Sequence, residues 1–154
     1  PPSSAIPSTP QAEPEPDETY EVTVDKPAEG FDYAFTSVPP KGDAANPNID
    51  GQLICDTPQD YKVVTLIRVG SIYGPKPSEE NPYAYISENG NFSVQYKTAE
   101  DGNTDEAADR IYLYFVPREY EASFTYQTNS WIITSETIEA LTQNSAYILT
   151  IIRP

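Results

Sequence analysis

Oxygen-bearing side chains recur at short intervals in Asp101-Gly-Asn-Thr-Asp-Glu-Ala-Ala-Asp109. Asp101, Asn103, Asp105 and Asp109 stand where a calcium loop places ligands at its first, third, fifth and ninth positions. The match is partial. An EF-type loop takes glycine at its sixth position and a bidentate glutamate at its twelfth, and this chain has Glu106 and Tyr112 there. The stretch also leads into a strand-like run instead of joining two helices. It reads as a solvated acidic turn, with Ca2+ as the alternative and no other cofactor expected.

A second group of residues suggests recognition rather than catalysis. Tyr73, Tyr83 and Tyr85 cluster with Lys76 in the proline-rich stretch "SIYGPKPSEENPYAYIS". Tyrosine rings held on a rigid loop can stack on the apolar face of a sugar while the phenol hydrogen-bonds. The competing expectation is that these rings pack their own loop onto a sheet. Trp131, the only tryptophan, lies in a strand-like run and reads as core.

Catalytic chemistry has little to work with. The chain has no histidine, which removes Ser-His-Asp and Cys-His catalysis and every histidine-bearing metal site. No phosphate-binding glycine loop or nucleophile-elbow motif occurs. The carboxylates fall mostly in the tail and in turns, where solvated charge accounts for them, so paired-carboxylate glycoside cleavage is not expected. Cys55 is the only cysteine. Beside the apolar Leu53-Ile54 it reads as a small buried hydrophobe, not a nucleophile, and one cysteine makes no disulfide framework. Asn91-Phe-Ser93 is a formal N-glycosylation sequon.

The bulk composition narrows the partners. The 154 residues carry 24 acidic and nine basic side chains, for a net charge of −15. Nucleic acid and anionic membrane surfaces call for clustered Lys and Arg, which are absent here. No apolar run is long enough to span a bilayer, so direct membrane insertion is not expected. The chain opens at Pro1 and contains no Met, as expected of a processed, secreted or cell-surface product whose targeting segment has been removed.

The elements that would position these residues are mostly strands. Residues 1–18 are proline-rich and acidic and read as an extended linker. The domain then runs over 19–154. Period-two runs predict strands at Tyr20–Asp25, Phe31–Val38 and Phe92–Tyr96, a β-branched apolar run predicts one at Tyr61–Gly70 (central in its sheet), and further strands are expected at Tyr83–Ile86, Asp109–Pro117 and Ala146–Arg153. A further strand over 48–56 is expected to be entered through an Asp50-Gly51 turn, and "SFTYQ" and "SWIITS" read as two more. Asn89-Gly90 predicts a hairpin turn. One helix of at most two turns is expected near 135–145, capped by Ser135. Many short strands with frequent turn signals and one short helix predict an all-β fold, an antiparallel β-sandwich of immunoglobulin-like or jelly-roll-like type.

The ordered segments Ser37–Pro40, Asp60–Gly70, Tyr73–Pro77, Ile86–Phe92, Thr98–Ile111 and Phe115–Pro117 together resemble an accessory β-sandwich domain. That domain recurs in secreted bacterial proteins, often beside glycoside hydrolase modules. The likeness covers roughly residues 30–154, and Arg153 suits the closing segment of that family. The resemblance implies secretion and a non-catalytic, carbohydrate-associated role, with a polysaccharide or neighbouring modules of a larger protein as partners. The family often has tryptophan before its Lys-Pro step, where this chain has Tyr73, and an aromatic after its Asp-Gly step, where this chain has Phe92. The alternative expectation is a structural or assembly module of a bacterial cell-surface protein or filament.

Overall fold

The computed structural model describes residues 20–42, 46–69, 72–97, 105–130 and 132–154, the side chains at 72, 73 and 106 excepted. Among the described residues nine strands form: β1 (Glu21–Lys26), β2 (Asp32–Ser37), β3 (Asn48–Ile54), β4 (Tyr61–Val69), β5 (Ile72–Lys76), β6 (Tyr83–Tyr85), β7 (Asn91–Gln95), β8 (Arg110–Pro117) and β9 (Tyr147–Ile152). One helix, α1 (Ser135–Asn144), precedes β9. The larger sheet runs β1-β9-β8-β4-β5, with β6 also pairing β4, and the smaller runs β2-β3-β7. All pairings are antiparallel. The fold is an all-β sandwich, with one helix among the described residues.

Strand β4 is central because both of its faces find apolar cover. Lys62 to Ile67 are all buried. Val63 and Ile67 face the smaller sheet and meet Ile111, Leu113, Phe115, Leu149 and Ile151 from β8 and β9, with Phe92 and Val94 from β7 opposite. Val64 and Leu66 face the other way, against Leu141 of α1 and Ile133. A strand buried on both sides reads as a continuous apolar run instead of an alternating one. The smaller sheet has one wet face, so β7 keeps clean alternation, with Phe92 and Val94 inward and Asn91, Ser93 and Gln95 exposed.

Three expectations are corrected. Asp50-Gly51 is not a turn but lies inside β3. Glycine is required there because a Cβ would sit 2.9 Å from both the Phe35 and the Phe92 ring. "SFTYQ" and the described part of "SWIITS" share only an isolated bridge, Tyr126 to Ile133. Tyr120, Ala122, Phe124 and Tyr126 alternate with exposed residues and pack on the outer face of the larger sheet. The helix is ten residues long, and its cap is Thr134, whose side chain accepts from the Thr137 N–H.

Strand β5 forms in the proline-rich stretch, where only Tyr83–Ile86 carries a strand signal. Its Pro75 stands opposite Leu66 at the sheet edge, where a missing N–H costs no ladder bond. The Asn89-Gly90 turn forms, with Gly90 at φ +89°. Arg153 is fully buried just past β9. Its Nε and Nη2 donate to the Ala108 carbonyl at 3.0 and 2.7 Å, and Nη1 donates to the Pro39 carbonyl at 2.9 Å.

Candidate functional site

Each candidate residue of the tyrosine group takes a different position. Tyr73 lies in β5 opposite Arg68, and its side chain is outside the described parts of the structure. Lys76 ends β5 and binds Asp105 at 2.6 Å, with both side chains largely buried. Tyr83 is half-buried and works inside the fold: its phenol oxygen accepts the Ala122 N–H at 2.8 Å, pinning the 120–126 segment to β6. Tyr85, two residues on, is 52% exposed, one of the few large apolar side chains that face solvent.

The acidic loop divides in the same way. Asp101 and Asn103 lie outside the described residues. Asp105 sits in a short 3-10 turn, Asp105–Ala107, and is engaged by Lys76. Asp109 pairs with Arg68 at 3.0 Å. Burial works to raise the Asp109 pKa, but the Arg68 hydrogen bond and charge outweigh it and hold the carboxyl below its ordinary range. Among the described residues no group of three or more His, Cys, Asp or Glu side chains could hold a metal.

A cleft of about 720 Å³ opens beside Tyr85, lined by the β6–β7 connection, the outer face of the smaller sheet and the end of β8. Register explains its lining. Strand alternation turns Thr36, Asp50 and Ser93 outward from β2, β3 and β7, while Phe35, Gly51 and Phe92 point into the core. Ser93 Oγ donates to Asp50 Oδ1 at 2.6 Å, and Thr36 Oγ1 donates to the Asp50 carbonyl at 3.3 Å. The Gly90 turn sets Asn91 at the cleft, with the Asn91 N–H donating to Ser87 Oγ at 3.1 Å. Arg118, just past β8, lies over the Tyr85 ring at 4.9 Å and donates to the Gln59 carbonyl at 3.1 Å.

Beneath this ring lies a buried cation. Lys62 stands opposite Tyr85 in the β4–β6 register and is 4% exposed. Its ammonium sits 3.8 Å from the Tyr83 ring centre and 5.8 Å from that of Tyr85. Burial lowers the Lys62 pKa; Glu121 acts against this, and the charge of Arg118 adds to it. Cation–π attraction offsets part of the cost, about 2 kcal/mol for a desolvated pair. Cys55 is half-buried, and burial, aided by Asp56 and Asp60, pushes its thiol up despite a hydrogen bond from Thr57, so it is protonated and unreactive near neutral pH.

Of the sequence candidates whose side chains are described, only Tyr85 borders the cleft. Thr36, Asp50, Ser87, Asn91, Ser93 and Arg118 carried no motif that points to a ligand site, although Asn91 and Ser93 belong to the sequon and Asp50 to the Asp-Gly pair. They come together only through register and the meeting of four separated segments, so one faint signal was available: the polar half of each alternating strand. Comparisons with family models, with curated proteins and with solved structures give no match.

Proposed function

We propose that the protein is a non-catalytic, extracellular accessory module whose cleft beside Tyr85 binds polysaccharide. The observation that carries this reading is the lining itself. One exposed tyrosine ring borders a groove furnished with a carboxylate, an amide, three hydroxyl side chains and a guanidinium. A ring offers its face to sugar C–H groups, and short polar side chains satisfy the hydroxyls around it. Asp50 is the only carboxylate among the described lining residues, whereas glycoside hydrolysis uses two. One edge of each sheet, β1 and β2, carries a register break, a device that blunts edge pairing and weighs against open-ended assembly through those edges.

The test is retardation of the native protein in gels containing a panel of neutral and acidic polysaccharides, followed by calorimetry on any that retard it. Tyr85→Ala should weaken binding at least about tenfold, near 1.4 kcal/mol, with the circular-dichroism spectrum of the fold unchanged. No retardation by any member, with oligomers forming as concentration rises, would instead indicate the assembly role.

A further inference from the structure

In a chain with 24 carboxylates and nine basic residues, cations are expected to find acids. Arg68 and Lys76 do, through Asp109 and Asp105. Lys62 and Arg118 are among those with no carboxylate at ion-pair distance among the described residues, as is Lys26, but these two are set apart because both reach the Tyr85 ring. Glu119 and Glu121 act on Lys62 only from further away.

Two like charges share one aromatic ring, and the stem that carries the Lys62 ammonium is buried, the residue being 4% exposed. Lys62 has three N–H donors and no hydrogen-bond acceptor among the described residues. Arg118 gives one hydrogen bond to Gln59, which leaves most of its planar fork open. Such a fork matches a carboxylate bidentately, and an anion placed there would relieve the repulsion between the two cations.

We propose that this end of the cleft takes the carboxylate of a uronate residue in an acidic polysaccharide. This rests on the carbohydrate-binding reading of the same cleft. Arg118 is the contact residue, and Lys62 is a positioning charge beneath Tyr85. Asp50, at the smaller-sheet side of the cleft, accepts from hydroxyls of the same or the next sugar.

The experiment compares polygalacturonate, alginate and glucuronoxylan with their carboxyl-reduced counterparts, which keep the linkages and lose the charge, alongside neutral β-glucan and mannan. At least one uronate polymer should bind, its reduced form at least tenfold more weakly. Arg118→Ala should lose at least tenfold on the uronate polymer, Arg118→Lys less. Lys62→Met, which keeps the stem volume, should also weaken uronate binding with an unchanged circular-dichroism spectrum. Equal binding of native and reduced polymers, or binding of neutral polymers alone, overturns the uronate assignment and leaves the carbohydrate reading intact. Binding of none overturns both.

Discussion

Gly90 and Gly30 share a left-handed backbone, φ +89° and +83°, yet differ in what surrounds them. A Cβ at Gly30 would meet nothing within 4 Å, whereas at Gly90 it would collide with the Leu53 carbonyl oxygen. Gly90 also accepts the Leu53 N–H at 2.8 Å, so the close approach is itself a hydrogen-bonded pairing. Gly30→Ala should cost only the left-handed penalty, about 1–2 kcal/mol. Gly90→Ala adds a backbone clash that no rotamer relieves and should cost above about 3 kcal/mol. Urea unfolding of the two variants measures the difference, and equal losses would show that the β3–β7 region yields to admit the methyl group. At this scale the sequence was informative for Gly90, whose Asn-Gly pair has one ready explanation. It misled at Gly51, because no local pattern reveals that two aromatic rings will close over a Cα.

Elements were legible where one face is buried. Alternation located β1, β2 and β7 to within a residue or two, the unbroken apolar run marked β4 as central, and β8, covered on both faces, was placed by its apolar run and closing Pro117. The failures have a common cause. Period-two alternation reports that one face of an extended segment is buried, not that its backbone joins a ladder. The 120–126 segment alternates because Tyr120, Ala122, Phe124 and Tyr126 lie flat on the larger sheet. Its tie to the helix is a cluster of hydroxyls: Thr125 Oγ1 lies 2.6 Å from Thr134 Oγ1 and 2.9 Å from Thr137 Oγ1. Thr134 thus caps α1 and anchors the covering segment with one oxygen. Thr134→Ala should lower stability by about 1–2 kcal/mol, at the upper end for a cap. Thr134→Ser should retain most of it. The same urea midpoint reads this out, and a loss below about 0.5 kcal/mol would mean that water replaces the hydroxyl at no cost.

At the scale of the whole molecule, charge and site pull in opposite directions. A net charge of −15 repels itself and any polyanion, while Lys62 and Arg118 form a small cationic end of one cleft. Range separates the two effects. Screening length falls from about 30 Å at 0.01 M salt to about 8 Å at 0.15 M, so added salt first removes the molecule-wide repulsion. Contact between Arg118 and a carboxylate, over a few ångströms and partly shielded by Tyr85, persists until salt is much higher. The melting temperature should therefore rise over that first interval by a few degrees, roughly 3 °C for each kcal/mol of repulsion screened. Uronate affinity should rise with it and then fall toward about 1 M. A basic protein on a polyanion behaves otherwise, losing affinity at every step as counterions are released. A monotonic fall across the same titration would mean that the long-range field of this acidic chain does not reach its cleft.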